Sequence, residues 1–442
     1  MILLDGNHLE VSDLLAIADD HVEIGLAPGA RARVAAARAV VDAKADGETA
    51  VYGVNTGFGN FAETRIDKAD LAALQLNLLR SHAAGVAEPL PVRTVRAAMA
   101  LRANVLAKGF SGIRVETLEA LIALLNRGVH PRVPSRGSVG ASGDLAPLAH
   151  LALVLVGEGE ATIDQATPKK GSPPQEPAVE ATTSLRLPGA EALRRAGLGP
   201  IVLGPKEGLA LINGTQFSAA VLALALAGAE RLGRAADIAA AMSIDALMGS
   251  MHPFEPRIHE PRPFAGQATA ADNLVRLMSG SAINESHINC GRVQDAYSMR
   301  CTPQVHGAAR EALSWIRHIV RTEMNAATDN PMVFATSGDI VSGGNFHGQP
   351  LSLPLDHLAL ALCELGSFSE RRIYALLSPS YAGLPPFLTP RPGLSSGLMI
   401  AQYAAAALVN ESQVLAHPAG AGSIPTSAGQ EDFNSMGATA AL

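Results

Sequence analysis

The sequence predicts a mainly α-helical protein. An N-terminal mixed globular domain (residues 1–108) is followed by a long helical bundle (109–442) that assembles into an oligomeric helical core. Hydrophobic residues make up 48% of the 442 residues but aromatic residues only 4%, and small side chains in long apolar stripes favour close packing of helices. Long helical patterns dominate the second half, over 206–248, 304–327, 351–377 and 395–416. Because they stay apolar around most of the circumference, we expect burial on several sides, partly by other subunits.

The first part of the chain predicts shorter elements. The first fifty residues contain one or two short strands and then an Ala- and Arg-rich helix near 29–45. The segment YGVNTGFGNF (52–61) has the Gly and Asn content of an ordered loop and exposes Tyr52. Further helices are expected near 68–84, 91–107, 115–127 and 145–157.

Residues 160–188 break this pattern. They contain four prolines before Pro188 and little apolar periodicity. We expect a mobile surface insertion here, although the composition fits a domain linker equally well.

Composition excludes several function classes. The net charge of −7 and the lack of a basic run argue against nucleic acid or an anionic membrane as a partner. The most apolar stretch, 217–229, is too short to span a bilayer. Isolated pairs such as His259–Glu260 and His287–Cys290 lack a third ligand, so we expect no metal. Three cysteines are too few for a disulfide framework and fit a cytoplasmic protein: Cys290, Cys301 and Cys363.

The segment GSVGASGDLAPLAH (137–150) contains residues that can build an electrophile from the backbone. The amide nitrogen of Gly143 can attack the carbonyl carbon of Ala141 and close a five-membered ring. Loss of two waters, including the Ser142 hydroxyl, leaves a methylene group conjugated to two carbonyls. Gly143 offers an unhindered nitrogen and the dihedral angles of a tight turn.

The same segment also fits a glycine loop that enters a helix, with Asp144 or Ser142 as the N-cap. The two interpretations are compatible, because a helix N-terminus stabilises negative charge that develops on the ring.

The extended segment resembles the signature of the aromatic amino acid ammonia-lyases, whose 4-methylidene-imidazol-5-one (MIO) cofactor forms from Ala-Ser-Gly. Six other polar blocks resemble, in the same order, those of the bacterial histidine branch of this family. These blocks are YGVNTGFG (52–59), NLLRSHAAG (77–85), LINGTQ (211–216), VQDAYSMRCTPQVHG (293–307), GGNFHGQP (343–350) and SIPTSAGQED (423–432).

The resemblance implies a set of catalytic residues. Ala141-Ser142-Gly143 would form the MIO, and no external cofactor is expected. Tyr52 would be the base that removes the β-proton of the substrate, and Asn213 and Tyr297 would position or activate the electrophile. From the residues alone, Asn213 fits a hydrogen bond between helices equally well.

The resemblance also implies substrate-binding residues. Arg300 would bind the substrate carboxylate, for which its planar guanidinium is suited, with Gln294 in support. Phe346 would form part of the wall, and His82 and Glu431 would contact the substrate imidazole. If the segment is helical, Gln294, Tyr297 and Arg300 share one face. On its residue type alone, Arg300 also fits a salt bridge.

Tyr52 is the most demanding assignment. A free tyrosine has a pKa of about 10 and is ionised in about one molecule per thousand at pH 7. Lowering the pKa by about three units requires roughly 4 kcal/mol of preferential stabilisation of the phenolate. Arg300, nearby dipoles or the ammonium group of the substrate are possible sources.

The implied reaction is the non-oxidative elimination of ammonia from L-histidine to give trans-urocanate. Glu431 supports histidine, because phenylalanine- and tyrosine-directed relatives usually carry an amide there and a phenyl ring would leave a carboxylate unpaired. Phe433 and Asn434 depart from the common QEDHVSM pattern of the histidine branch, and Asn434 is closer to the phenylalanine-directed branch.

Two alternatives therefore stay open. The first is a phenylalanine or tyrosine ammonia-lyase, or an aminomutase, on the same scaffold. The second is an inactive helical assembly protein, since relatives continue for several helices beyond the position of Leu442 and we expect either a shortened chain or a compact variant. The resemblance also implies a homotetramer with shared active sites.

Overall fold

The computed structural model describes residues 1–164, 185–379 and 383–441. The contacts group the chain into two units. The first contains Met1–Leu224, Val320–Leu353 and Ala419–Leu442, and the second contains Ala225–Ile319 and Pro354–Pro418. The division predicted at residue 108 falls within the first unit and stays a prediction.

The described residues are mainly helical, as predicted. The helices before residue 215 all belong to the first unit: α1 (Val11–Asp19), α2 (Pro28–Ala45), α3 (Leu71–His82), α4 (Val92–Ala107), α5 (Val115–Asn126), α6 (Leu145–Leu155), α7 (Gly189–Arg195) and α8 (Glu207–Ile212). The remaining helices are α9 (Gln216–Ala246), α10 (Pro256–His259), α11 (Ala265–Met278), α12 (Ala282–Ser286), α13 (Tyr297–Arg300), α14 (Thr302–Glu323), α15 (Gln349–Leu377), α16 (Met399–Leu415) and α17 (Gly437–Ala440).

Helix α4 is the central element of the first unit. Its residues from Val95 to Ala107 are all buried, and it packs against α1, α2 and α5. Two arginines in this helix are buried because their guanidinium groups find backbone carbonyls. Arg96 donates to the Ile17 and Leu125 carbonyls, and Arg102 donates to the carbonyl of Asn213 at 2.7 Å. Helix α4 thus joins the apolar core to the segment that carries Asn213.

Short strands tie the loops of the first unit together. They are β1 (Ile2–Leu4), β2 (Ile24–Leu26), β3 (Val86–Pro89), β4 (Val129–Pro131), β5 (Pro134–Arg136), β6 (Glu160–Ile163), β7 (Leu187–Pro188), β8 (Met332–Phe334) and β9 (Asp339–Val341). β1 and β2 pair in parallel, whereas β3–β5, β4–β6–β7 and β8–β9 are antiparallel.

The two ends of the predicted insertion at 160–188 belong to the ordered fold. Glu160 and Ala161 of β6 pair with Pro188 and Leu187 of β7, so both ends of the segment are ordered. Both ends also belong to the first unit, which contradicts a domain linker. Residues 165–184, where mobility was expected, lie outside the described residues.

The second unit contains a buried apolar cluster formed by α9, α11, α13 and the segment that follows α9. Its members include Ile244, Leu247, Phe254, Leu274 and Met299. The long helices α9, α14 and α15 contribute residues to both units. Helix α16 has no buried residue in the single chain and exposes Ile400, Leu408, Val414 and Leu415.

Among the described helices, α15 is the one long and apolar enough to cross a bilayer. Its most apolar window has a mean hydropathy of 1.2 and is 33% buried. A core helix of a soluble protein meets the same criteria, so this is weak evidence for a membrane span.

Two predictions about helices are wrong. The pattern at 206–248 is not one helix, because α8 ends at Ile212 and α9 begins at Gln216. Gly214, with φ of +146°, interrupts the helical backbone there. Helix α1 was not predicted, although its first turn carries a recognisable signal: the Glu10 amide donates to Asp13 Oδ2 at 3.1 Å.

Candidate active site

A cavity of about 980 Å³ in the first unit brings together residues from five distant parts of the sequence. It is lined by six of the predicted site residues: Tyr52, His82, Ala141, Ser142, Asn213 and Glu431. Gly143 lies beside it and is buried. Polar groups that converge in one concave, partly apolar site are typical of a substrate pocket.

The Ala141-Ser142-Gly143 segment forms a tight turn. The Gly143 amide donates to the Gly140 carbonyl at 3.3 Å, and Ser142 has a left-handed backbone with φ of +51°. A Cβ atom on Gly143 would lie 2.2 Å from the carbonyl oxygen of Gly214, so only glycine fits there. The turn folds the Gly143 nitrogen back over the preceding residues, and its sequence and conformation fit a site of backbone cyclisation.

A second segment, at Gly214, is hydrogen-bonded to this turn. The Asp144 amide donates to the Gly214 carbonyl at 2.6 Å, and the Gly214 amide donates to the Ser142 carbonyl at 3.3 Å. Asp144 is the N-cap residue of α6, as predicted, but its side chain does not cap that helix.

The Asp144 carboxylate lies instead at the start of α9. It accepts hydrogen bonds from the Ser218 amide and the Ser218 hydroxyl, both at 2.8 Å. Burial raises the pKa of Asp144 to about 6, and the hydrogen bonds from Ser218 and Phe217 oppose the rise. This buried acid therefore links the turn to the N-terminus of a long helix.

Asn213 occupies the break between α8 and α9. Its side-chain oxygen is buried and has no hydrogen-bond partner among the described residues. Its backbone carbonyl accepts from Arg102, which also donates to the Gln216 side chain at 2.6 Å. Arg102 thus stabilises the break between α8 and α9. The unpaired amide oxygen of Asn213 can accept a hydrogen bond from a group bound in the cavity.

Tyr52 lies in the predicted glycine loop, but it is half-buried and not exposed as predicted. The centre of its ring lies 6.3 Å from that of Phe58, edge to face. Burial raises the pKa of Tyr52, the Gly59 backbone opposes the rise, and the charge of Glu431 adds to it. This shift is opposite to the one that a base requires at pH 7.

His82 ends helix α3 and presents one ring nitrogen to the cavity. Its Nδ1 lies 2.9 Å from the Leu78 carbonyl, and because a carbonyl only accepts, Nδ1 carries the proton. Burial lowers the pKa of His82, opposed by the Leu78 carbonyl and the Glu431 charge. The ring is thus neutral at pH 7 and Nε2 is a hydrogen-bond acceptor.

Glu431 lies opposite Thr426 in the C-terminal loop, where the two residues form an antiparallel bridge. Its Oε2 accepts from the Thr426 hydroxyl at 2.6 Å. Asn434, the residue that departs from the histidine branch, is 3% exposed and does not line the cavity. Its amide group therefore does not meet a substrate ring in this cavity.

Three predicted site residues lie in the second unit. Gln294 and Arg300 line another cavity of about 700 Å³, and the Arg300 guanidinium lies 4.7 Å from the centre of the Tyr297 ring. The shared helical face was wrong for Gln294, because α13 begins only at Tyr297. Phe346 is half-buried in the first unit and is not among the residues that line the first cavity.

Sequence reasoning missed the residues that support the site. Arg102 stands within the apolar pattern of α4, and a buried arginine in such a pattern signals a special partner. Thr426 is in the quoted block 423–432 but carries no distinctive local signal. Among the described residues, no group of three or more His, Cys, Asp or Glu side chains could hold a metal ion.

Comparison with known proteins identifies the family. The sequence pattern of the aromatic amino acid lyases matches residues 9–442. The histidine ammonia-lyase of Anaeromyxobacter dehalogenans is 58% identical over 443 residues, which cover 100% of this chain and 85% of that protein.

Solved structures agree with this assignment. The Trypanosoma cruzi histidine ammonia-lyase superposes with a TM-score of 0.87 at 44% identity, over 100% of this chain and 79% of that one. The Pantoea agglomerans phenylalanine aminomutase superposes with a TM-score of 0.91 at 32% identity, over 100% and 85%. The chain belongs to the aromatic amino acid lyase family.

Proposed function

We propose that this carbon–nitrogen lyase eliminates ammonia from L-histidine to give trans-urocanate. The observation that carries the proposal is a single cavity that places the Ser142 turn together with Tyr52 and two acceptors for an imidazole ring, His82 and Glu431. The name of the Anaeromyxobacter relative supports the same substrate.

The proposed imidazole subsite depends on complementary hydrogen bonding. His82 Nε2 offers a lone pair, and the Glu431 carboxylate offers a charged acceptor. A neutral imidazole ring has one N–H group, which either acceptor can bind, and a protonated ring has two, one for each acceptor. A phenyl ring has none and would leave a carboxylate and a ring nitrogen desolvated without partners, at a cost of several kcal/mol.

The proposed electrophile is an MIO formed from Ala141-Ser142-Gly143. When formed, this group supplies an electron-poor alkene within the cavity. The turn of residues 140–143 and the glycine-only contact at Gly143 fit its formation. Asn213 would orient it, and Tyr52 Oη would accept the β-proton of the substrate.

We propose a homotetramer with shared active sites, because Gln294 and Arg300 line a different cavity of the chain from the one that Tyr52 lines. Arg300 of a neighbouring copy would bind the substrate carboxylate and stabilise the phenolate, with Gln294 and Tyr297 beside it. Phe346 would complete the wall of the assembled site. The exposed apolar residues of α16 support burial by another copy.

We place the protein in the cytoplasm. Its three cysteines are free thiols, and the thiol of Cys290 is exposed. Unpaired thiols of this kind are typical of a reducing compartment.

A substrate screen tests the proposed activity. L-Histidine, L-phenylalanine and L-tyrosine are each incubated with the protein, and ultraviolet absorbance follows urocanate, cinnamate or coumarate. We expect urocanate from histidine. Turnover of phenylalanine or tyrosine alone, or a β-amino acid product, would assign the chain to another member of the family.

Intact mass measurement tests the cofactor separately, since ring formation removes two waters. An unmodified mass in freshly folded protein would contradict the MIO and favour an inactive assembly protein. Light scattering tests the tetramer, and an active monomer would overturn it.

A further inference from the structure

We propose that Asn434 is a positioning residue that fixes the Glu431 carboxylate for the substrate imidazole through the hydroxyl of Thr426. This inference rests on the proposed function and deepens it. It assigns a role to the residue that departs from the pattern of the histidine branch.

Three side chains form a continuous chain of hydrogen bonds. Asn434 Nδ2 lies 3.1 Å from Thr426 Oγ1, and Thr426 Oγ1 lies 2.6 Å from Glu431 Oε2. The last residue faces the cavity with Tyr52 and His82, and its charge acts on both of these groups. Asn434 therefore reaches the substrate subsite without touching it.

The direction of this chain is fixed by its first member. Asn434 Nδ2 also lies 2.7 Å from the Ile424 carbonyl, and because a carbonyl only accepts, the atom there must be the amide nitrogen. The other amide proton then points at Thr426 Oγ1, which must act as an acceptor towards Asn434. The single hydroxyl proton of Thr426 is left for Glu431.

The backbone around Asn434 holds the amide in place. Its own N–H donates to Ser423 Oγ at 2.6 Å, and the preceding carbonyl, of Phe433, accepts from His347 Nε2 at 3.0 Å. The rings of His347 and Phe433 stack at 6.2 Å. A valine at position 434 would pack in the same space but donate nothing, so the Thr426 hydroxyl would be free to turn away.

The hydrogen bond from Thr426 fixes the orientation of the Glu431 carboxylate. With Oε2 bound to Thr426, no other described residue donates to Oε1, which is left as the acceptor for the substrate ring. Losing the hydroxyl would let the carboxylate rotate among several rotamers. We therefore expect weaker substrate binding and an unaltered proton transfer.

A double-mutant cycle tests this inference on the full chain. Thr426→Val should raise the KM for histidine about tenfold and Asn434→Val about fivefold, as expected for one hydrogen bond to a charged and one to a neutral group. The value of kcat should change by less than about twofold, because binding and not chemistry is affected. The double variant should match Thr426→Val alone, since Asn434 acts through that hydroxyl.

Two further variants separate positioning from folding. Thr426→Ser keeps the hydroxyl and should recover most of the affinity for histidine. Thr439→Val makes the same Thr-to-Val change at an exposed position of α17, and it should leave KM and kcat unaltered. Effects of Thr426→Val and Asn434→Val that multiply to about fiftyfold, or that fall on kcat, would overturn the inference.

Calorimetric titration with imidazole decides the matter independently of turnover. Its dissociation constant should rise in Thr426→Val and rise no further in the double variant. If the unaltered chain does not turn over histidine, the proposed function fails, and the imidazole series still tests the hydrogen-bond chain. Equal imidazole affinity in all variants would overturn it even in an active enzyme.

Discussion

The turn at residues 140–144 and the loop at residues 423–434 face the same cavity but are stabilised by different sets of hydrogen bonds. The turn is fixed by backbone hydrogen bonds to Gly214 and by the buried carboxylate of Asp144. The loop exposes Ala428, Gly429 and Gln430. Backbone hydrogen bonds close it locally between Thr426 and Glu431, and side-chain hydrogen bonds of Asn434 and Thr426 join its two ends.

We expect this difference to separate the residues of the proposed chemistry from those of substrate recognition. Backbone contacts inside a packed core leave few alternative sequences, because even a Cβ on Gly143 would collide with Gly214. Side-chain contacts on a loop can be exchanged one at a time. We therefore expect substitutions in the turn to abolish the reaction and substitutions in the loop to change substrate affinity.

The largest effect is expected for Ser142→Ala. Turnover should fall by at least about 10⁴-fold, because accelerations typical of enzymes are not reached without the electrophile. Intact mass should show no loss of water, while circular dichroism should be unaltered. Ser427→Ala is the matched control in the loop, since Ser427 also has φ of +51°. Comparable losses in both variants would erase the distinction between turn and loop.

Tyr52→Phe removes the hydroxyl of a tyrosine that lines the cavity. We expect kcat to fall by about 10³-fold, within the range for loss of a general base, with little change in KM. Tyr374→Phe, which alters an exposed tyrosine of α15, serves as the control. A loss confined to KM would assign Tyr52 to binding.

Mixing Tyr52→Phe chains with Arg300→Ala chains sharpens this result. If active sites are shared between copies, co-refolded mixtures should regain activity that neither variant has alone. Absence of recovery in mixed oligomers would contradict the shared site.

Asp144→Asn tests the buried acid behind the turn. The pKa of Asp144 is raised from 3.8 to about 6, so the folded state binds this proton more tightly than the unfolded state. Its contribution to stability is therefore greatest below about pH 4, falls up to about pH 6 and is constant above. The unaltered chain loses this stability as Asp144 ionises, whereas the variant has no group to ionise there. The free energy of unfolding of the variant, relative to that of the unaltered chain, should therefore rise by about 3 kcal/mol between pH 4 and 7.

Urea unfolding at several pH values measures this difference. Parallel pH profiles of the variant and the unaltered chain would show that Asp144 titrates normally.

A smaller effect is expected for Glu431→Gln in the loop. Replacing a charged acceptor by a neutral one should raise the KM for histidine about thirtyfold, or about 2 kcal/mol. Asp432→Asn alters the neighbouring, exposed carboxylate and should leave KM unchanged. A larger loss in kcat than in KM would place Glu431 in the chemical step.

Local signals in the sequence predicted much of the fold. Helices α4 and α5 lie within one residue of their expected bounds, because their apolar periodicity is uninterrupted. The break at Asn213 was missed because Ala210, Leu211 and Ile212 continue the apolar pattern up to it. The conformation of Gly214 and the carbonyls that Arg102 binds across the core explain why the helix ends there.

The sequence by itself determined the helical class, and its resemblance to the ammonia-lyases led to the proposals of an Ala141-Ser142-Gly143 electrophile and of residues for an imidazole substrate. Tertiary structure alone decided that Tyr52, His82, Ser142 and Glu431 share one cavity. It also decided that Asn434 supports the loop without lining the cavity. The physical reason is that hydrogen bonds and burial depend on distances between segments far apart in the chain, which no local pattern encodes.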